Sequence, residues 1–266
     1  MKQILKLDEA RVENMAGGKA ASLGELLRGG FKVPNGFVIT ADDSGDIANL
    51  EASILEHFDT LGAQFVAVRS SAVNEDGSEA AWAGQLDTFL NIHRDGLLDN
   101  IRRCIASAGS ARAQAYAAHN RVELGNVAVV VQAMVESDIS GVAFSAHPVT
   151  ESREHMVVEA GLGLGEGIVS GQVTPDSYII DNESGKVTGS FVSTQTKKLV
   201  RGETGNTWQT LDPAITTPKL SDQQLAELVK TVRGIAELYG FPVDVEWAYA
   251  DGMLYVLQAR PITTLR

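Results

Sequence analysis

The amino-acid sequence predicts an α+β fold, and three observations lead to that class. Segments typical of strands and of helices are interleaved, but without the regular strand–helix–strand rhythm of a doubly wound parallel sheet. The helical segments carry apolar residues at helical spacing, whereas the strand segments are short apolar runs such as residues 65–69. No internal repeat and no low-complexity linker interrupts the chain.

Taken in order, the predicted elements alternate between the two types. A short helix over 18–27 ends at Gly29 and Gly30, because glycine readily terminates a helix. A long amphipathic helix over 220–239 is closed in the same way by Gly240. The other predicted helices are 47–61 and 97–122, the latter with a break near Gly109. The predicted strands are 37–40, 65–69, 88–92, 127–134, 141–144, 156–160, 178–181, 189–192 and the two arms of a closing hairpin.

Length and composition are those of a globular protein. The chain has 266 residues, of which 44% are apolar and 21% charged, and this length suits one large domain or two small ones. We expect two lobes, 1–134 and 135–266, divided next to residues 132–135. No apolar run reaches membrane-spanning length and no signal-peptide pattern opens the chain. The one cysteine, Cys104, cannot form an internal disulfide, so we expect a cytoplasmic protein without a membrane partner.

The charge balance argues against a nucleic-acid partner. The formal net charge is −12, from 22 basic and 34 acidic residues, whereas a nucleic-acid surface usually needs a basic stripe. An anionic ligand must therefore be bound by a few well-placed lysines and arginines rather than by the overall field.

The closing hairpin is the most informative segment. Asp244 and Glu246 lie two residues apart on its first arm, and Gln258 and Arg260 lie two apart on its second. Residues two apart in a strand point to the same face. The hairpin can therefore gather two carboxylates, an amide and a guanidinium, which is the chemistry needed to hold Mg²⁺ and a polyphosphate. The alternative is a solvated edge hairpin.

The register of this hairpin decides whether the cluster forms. A two-residue turn at Asp251-Gly252 with a regular ladder would make Gln258 face away from both acids. A three-residue loop, 250–252, with Gly252 left-handed would pair Asp244 with Gln258 on one face. We predict the second register, with Val245 and Trp247 packed into the core from the opposite face.

Two segments of the N-terminal half indicate anion binding. Gly17 and Gly18 precede Lys19 at the start of a helix, which favours close approach of the backbone to a phosphate; a plain surface loop is the alternative. Arg69 ends an apolar strand, where a charge needs a partner. Its expected partners are Glu75, Asp76 and Asp87, or a bound phosphate, and a structural ion pair is the alternative.

Two other patterns are less specific. The glycine-dense stretch 161–167 does not have the spacing of a dinucleotide fingerprint, so a ligand-binding loop and a plain turn remain open. The histidines lack metal-ligand spacing, and each is expected to be a surface or satisfied side chain. They are His57, His93, His119, His147 and His155.

Further short motifs run in a fixed order along nearly the whole chain. They occupy 17–19, 23–26, 33–40, 68–71, 75–76, 83–90, 131–135, 140–144, 163–167, 169–171, 173–176, 244–248 and 257–261. Jointly they resemble the nucleotide-binding domain of pyruvate phosphate dikinase and phosphoenolpyruvate synthase, an ATP-grasp domain. The resemblance implies two lobes with the nucleotide cleft between them.

The resemblance also implies a role for each site residue. Lys19 and Arg69 would hold the phosphates of ATP, and Arg260 would stabilise the phosphoryl group in transfer, so these three are the expected catalytic residues. The other implied nucleotide contacts are Gly84, Gln85 and Thr88 in a closing loop, Gln132, Met134 and Val135 around the adenine, and Glu159. Mg²⁺ would be bound by Glu246 and Gln258, with Asp244 nearby; Gln258 thus also belongs to the nucleotide site.

The chain departs from the family pattern at three places. The helical insertion expected between the strands ending at Thr40 and beginning at Phe65 is pared down, so the N-terminal lobe is shortened. Residues 145–148 read Ser-Ala-His-Pro where the family has Thr-x-Asp-Pro. No stretch resembles the family's phosphohistidine loop or its pyruvate-binding barrel.

These observations lead to three functional hypotheses. The first is an ATP- and Mg²⁺-dependent phosphotransferase component that phosphorylates a histidine on a separate partner protein. The second is a stand-alone enzyme that phosphorylates or activates a small molecule directly. The third is a non-catalytic ATP-binding module or a fragment of a larger dikinase.

Overall fold

The computed structural model describes residues 3–12, 15–72, 87–120, 127–203, 205–262 and 264–265, without the side chains of 116–120. These residues form two compact units. The first comprises Met1–Gly30 and Pro34–Met134, and the second Phe31–Val33 and Val135–Arg266. Each combines β-sheet with helices, so the α+β prediction is confirmed. Within the described ranges no helix is long and apolar enough to cross a membrane.

The first unit is built on an antiparallel sheet of strand order β1-β2-β5-β3-β4. Its strands are β1 (Ile4–Lys6), β2 (Gly36–Ile39), β3 (Val66–Ala72), β4 (Thr88–Ile92) and β5 (Val127–Ala133). Its helices are α1 (Gly17–Arg28), α2 (Ile47–Leu61), α3 (Leu97–Ala106) and α4 (Ala111–Asn120). The predicted break near Gly109 is confirmed, since a 3₁₀ turn, Ser107–Gly109, separates α3 from α4.

Helices α2 and α3 cover one face of this sheet and form the core of the unit. The apolar period of α2 explains the packing, because Ile54 is fully buried and Phe58 nearly so against strand residues such as Val68 and Val131. Gly62 adopts φ +63° and ends α2, a conformation that glycine takes without strain. The opposite sheet face, towards α1, carries Arg69.

The second unit contains an antiparallel sheet of order β13-β12-β6-β7-β8-β9 and a separate two-stranded ribbon, β10-β11. The sheet strands are β6 (Ile139–Phe144), β7 (His155–Leu162), β8 (Asp176–Asp181), β9 (Val187–Phe191), β12 (Val243–Ala250) and β13 (Met253–Pro261). The ribbon strands are β10 (Gln195–Arg201) and β11 (Asn206–Ile215), and the helices are α5 (Glu166–Val169) and α6 (Asp222–Tyr239).

Helix α6 covers one face of this second sheet. Ser221 caps its N-terminus by accepting the Gln224 N–H at 3.3 Å, and Gly240 at φ +74° ends it. The Tyr249 hydroxyl donates to the Gln224 carbonyl at 2.9 Å, which identifies the covered face. Trp247 and Val245 point the same way and are fully buried, as predicted. The opposite face presents the polar residues of β12.

The ribbon β10-β11 and strand β1 were not predicted. The ribbon is largely polar and exposed along β11, so it has no apolar signal. Lys219 and Asp176, both fully buried as side chains, hold its two ends through a 2.8 Å ion pair. Ser193 also donates its backbone N–H to Asp176 at 2.9 Å. Burial alone would raise the Asp176 pKa, but the hydrogen bonds from Lys219 and Ser193 leave it lowered.

Candidate functional site

Lys19 lies in the first turn of α1 and is nearly fully buried. Its Nζ donates to the Ser70 carbonyl at 2.6 Å, so the ammonium is anchored at the edge of β3. Gly17 also has a packing role that the sequence did not indicate. A Cβ on Gly17 would lie 2.4 Å from the Ser71 carbonyl oxygen, and Ser71 Oγ accepts the Ala20 N–H at 3.1 Å. The close packing of α1 against β3 therefore requires glycine at position 17. The backbone N–H of Ala20 already has Ser71 Oγ as its hydrogen-bond acceptor.

Arg69 is 8% exposed and lies within the body of β3 rather than at its end. Its Nη1 donates to Oε1 of Gln132 at 3.1 Å, so a side-chain amide is one of its contacts. Of the acids predicted to pair with it, Asp87 is bound by Arg112 at 2.8 Å. Glu75 and Asp76 lie outside the described residues.

The other residues predicted to touch a nucleotide in the first unit are placed only in part. Thr88 is the Cα partner of Arg69 across the β3-β4 pair, is exposed, and shares its sheet face. Gly84 and Gln85 lie outside the described residues. Met134, which donates its N–H to the Phe65 carbonyl at 3.0 Å, is the last residue of the first unit. In the second unit, Val135 packs with Ala248 and Ala250.

The closing hairpin forms its cluster by a different route from the predicted one. The predicted three-residue loop is wrong, since Ala250 pairs with Met253 across a two-residue turn with φ +50° at Asp251 and +73° at Gly252. The predicted pairing of Asp244 with Gln258 is also wrong. Asp244 pairs with Arg260 and Glu246 with Gln258, because a β-bulge follows.

The bulge restores the polar face. Trp247 pairs with Val256 and Glu246 with Gln258, so Leu257 is the extra residue on β13. The two-residue turn suits the twist of the two strands. The bulge then shifts the register by one residue, and the number of turn residues in the sequence does not reveal that shift. All four polar side chains consequently share one face of the sheet, as required by the metal-site hypothesis.

Asp244 is the most buried acid of this cluster, at 8% exposure. Its Oδ2 accepts from Nε and Nη2 of Arg260 at 2.8 and 2.7 Å. Its Oδ1 is buried and has no hydrogen-bond partner in the described part of the chain. Burial raises the pKa of Asp244, Arg260 opposes that rise, and Glu246 adds to it. An ionised Asp244 thus leaves one oxygen oriented for a further cation.

Glu159 extends the acidic character onto β7. It pairs with Val142 of β6, which in turn pairs with Glu246, so these side chains share a sheet face. Burial raises the pKa of Glu159, and the negative charge of Asp244 raises it further. Among the described residues, Asp244, Glu246 and Glu159 thus share a sheet face with Arg260, an acidic surround that favours binding of an additional cation.

The predicted metal ligands fit Mg²⁺ in their chemistry. Carboxylate and amide oxygens suit this ion, which is usually held by one or two protein carboxylates together with substrate phosphates and water. Asp244 Oδ1, Glu246 and Gln258 supply such a set. Among the described residues, no three His, Cys, Asp or Glu side chains converge into a site of their own. The cluster is therefore suited to a metal shared with a ligand rather than to an all-protein metal cage.

The glycine loop and His147 have structural explanations. Gly163 adopts φ +91°, and a Cβ there would lie 2.4 Å from the Leu199 carbonyl, so the ribbon packs directly on the loop. Nδ1 of His147 accepts the N–H groups of Val149 and Thr150, both at 3.3 Å. An aspartate could serve the same turn, so His147 replaces the expected acid as an acceptor.

Comparison with known families gives a match over residues 47–266 to the pyruvate phosphate dikinase AMP/ATP-binding domain. The chain is 37% identical over 303 residues to a probable phosphoenolpyruvate synthase of Methanothermobacter thermautotrophicus, covering 94% of this chain and 44% of that protein. It is 35% identical over 289 residues to the prodigiosin synthesizing transferase PigC of Serratia marcescens, covering 97% of this chain and 32% of that one.

These alignments also bear on length. The chain spans less than half of either relative. Because 303 aligned residues exceed the 266 of this chain, the Methanothermobacter protein has residues without a counterpart here. Among solved structures, the VanG D-Ala:D-Ser ligase of Enterococcus faecalis gives a TM-score of 0.46 at 9% identity, covering 96% of this chain and 55% of that one.

Proposed function

The chain belongs to the pyruvate phosphate dikinase AMP/ATP-binding domain family, and from that membership we propose that it is an ATP- and Mg²⁺-dependent phosphotransferase component that phosphorylates a histidine on a separate protein. The observation that carries this proposal is the closing hairpin. Asp244, Glu246, Gln258 and Arg260 share one sheet face, and a buried Asp244 oxygen lacks a hydrogen-bond partner among the described residues.

Each residue has a role that follows from its chemistry. Lys19 and Arg69 are buried cations whose donors would bind phosphate oxygens. Arg260, fixed by Asp244, would stabilise negative charge on the phosphoryl group in transfer, since a preorganised cation needs no rearrangement during the reaction. Glu246, Gln258 and Asp244 would hold Mg²⁺, which neutralises charge on the polyphosphate when bound.

The proposed reaction consumes ATP, water and a histidine imidazole and yields AMP, inorganic phosphate and phosphohistidine. One phosphorus–oxygen bond of ATP breaks as the phosphorus–nitrogen bond to histidine forms, and the imidazole proton passes to solvent. A second phosphorus–oxygen bond is hydrolysed, so the water becomes part of the inorganic phosphate. In this proposal the acceptor histidine belongs to a separate protein that is phosphorylated in the same reaction.

One observation favours a second candidate function. The Serratia relative, 35% identical, is named as a prodigiosin synthesizing transferase. Direct phosphorylation or activation of a small molecule is therefore the alternative that the same residues would support.

The nucleotide product separates these candidates. The full chain would be incubated with ATP and Mg²⁺, alone, with histidine-bearing phosphocarrier proteins, and with small-molecule acceptors, and the products resolved by ³¹P NMR. AMP and phosphate formed only with a histidine-bearing protein are the expected result. Product formed with a small molecule alone would establish the alternative. Tight ATP binding without turnover under every condition would reduce the chain to a binding module and refute the proposal.

A further inference from the structure

The amide of Gln132 is a buried polar group in the sheet of the first unit. It lies on β5, in the middle of the sheet, and is 3% exposed. Its Oε1 accepts from Arg69 Nη1 at 3.1 Å. Its Nε2 is buried and has no hydrogen-bond partner among the residues that the structure describes. A buried donor in this state is costly, and a bound ligand is one of the partners that can satisfy it.

The residues beside Gln132 in the sheet have very small side chains. Its cross-strand neighbours are Gly36 on β2 and Ala67 on β3, so the row across the sheet is made of two very small residues flanking one long amide. Arg69 follows Ala67 at strand spacing and therefore lies on the same sheet face. The guanidinium of Arg69 and the amide nitrogen of Gln132 therefore lie above the same face of the sheet.

The chemistry of this pair selects one kind of ligand. A guanidinium and an amide N–H₂ are both donors, and neither nitrogen can accept a hydrogen bond. Adenine offers neutral ring-nitrogen acceptors, which gain less from a charged donor such as Arg69 than an anionic oxygen does. Phosphate oxygens accept only, and they bind best to charged and multiple donors.

We propose that Gln132 belongs to the phosphate-binding group and not to the adenine slot: its Oε1 positions the Arg69 guanidinium, and its Nε2 donates to a polyphosphate oxygen of the same ligand. This inference rests on the proposed nucleotide-binding function and assigns to Gln132 a different part of the nucleotide from the one implied by family resemblance. It makes Gln132 a ligand contact and, through Arg69, a positioning residue.

Gln132→Met tests the proposal, because methionine has a similar length and no hydrogen-bonding amide. Dissociation constants for ATP and for adenosine would be measured by calorimetry and NMR titration on the full chain. The variant should bind ATP about 10- to 100-fold more weakly, as expected for a lost hydrogen bond to a charged group. Adenosine affinity should change less than about threefold. The melting temperature would be measured beside the affinities, because the variant removes both an unsatisfied donor and the acceptor of Arg69 Nη1.

Two further variants secure the interpretation. Gln132→Glu keeps an acceptor for Arg69 but replaces the donor by a negative oxygen, so it should fold and lose ATP affinity at least as strongly. Gln195→Met is the matched control, since that buried amide has its hydrogen bonds satisfied by Leu162 and Lys197. It should lower the melting temperature and leave the ratio of ATP to adenosine affinity unchanged.

The outcomes are distinguishable. Equal weakening of ATP and adenosine by Gln132→Met would return Gln132 to the adenine slot and overturn the inference. Wild-type affinity for both ligands in Gln132→Met and Gln132→Glu would also overturn it, while leaving the proposed function intact. A wild-type chain that binds no ATP would overturn the proposed function, and this inference with it.

Discussion

Replacement of Arg260 by methionine should destabilise the second unit and abolish phosphotransfer for separable reasons. Arg260 donates twice to Asp244, at 2.8 and 2.7 Å, and that carboxylate is 8% exposed. Hydrogen bonds to charged groups contribute roughly 1.5–3 kcal/mol each, but the Arg260 side chain is 29% exposed and partly screened by solvent. At neutral pH the variant is therefore expected to lose about 2–3 kcal/mol of unfolding free energy with this pair.

The pH dependence of that loss has a definite sign. Burial raises the Asp244 pKa, Arg260 lowers it, and Glu246 raises it, so the variant should have a still higher Asp244 pKa. A carboxyl group with a raised folded pKa binds protons more tightly in the folded state, so stability falls as pH rises through that window. The variant should therefore be most destabilised at neutral pH and recover towards wild type as the pH falls through the raised pKa of Asp244.

Urea unfolding followed by tryptophan fluorescence is a suitable assay, because Trp247 is fully buried on β12 in the same unit. The double variant Arg260→Met/Asp244→Asn removes the uncompensated charge and should regain most of the stability. Its phosphotransfer rate should stay depressed by about 10²–10³-fold or more, the usual cost of removing a preorganised charge stabiliser. An unfolding midpoint of Arg260→Met equal to wild type at neutral pH would refute the account of the pair.

Two further predictions concern the scaffold of the second unit. Lys219→Met leaves Asp176 as a fully buried carboxylate without its cation. It should lower the unfolding free energy measured in urea by roughly 3–5 kcal/mol, with partial recovery in Lys219→Met/Asp176→Asn. A loss below about 1 kcal/mol would contradict this. Gly141→Ala places a Cβ 1.8 Å from the Glu159 carbonyl oxygen, so it should separate β6 from β7 and lower both melting temperature and turnover; a wild-type melting curve would show that the contact is relieved at no cost.

The fold was predictable wherever local sequence signals agree with packing. Helix α2 has the predicted limits, because its apolar period and its terminal Gly62 both act locally. Strand β4 also has its predicted limits. The ribbon β10-β11 escaped prediction because its alternation is polar and exposed, and its position depends on the buried pair of Lys219 and Asp176, which are 43 residues apart. Such long-range pairing leaves no periodic trace in the sequence.

The candidate site was predictable in its chemistry but not in its geometry. Strand spacing correctly placed Glu246 and Gln258 on one face, although the predicted turn was wrong and a bulge supplied the missing residue. The contact between Arg69 and Gln132 joins residues 63 apart in sequence. It follows from the pairing of β3 with β5, and a motif-based reading of either residue could not reveal it.

The bulge at Leu257 separates the inner half of the hairpin, which carries the polar pairs, from the outer half, which leads to the turn. On the inner half, β12 is held by β6 through pairs such as Asp244 with Phe144 and Glu246 with Val142, so the acids are fixed from the interior of the sheet. The outer half ends at the exposed turn of Asp251 and Gly252. Changes of length or sequence at that tip can be absorbed at the bulge without rotating the polar residues, which makes the turn a natural place for variation between related proteins and for insertion of a reporter peptide.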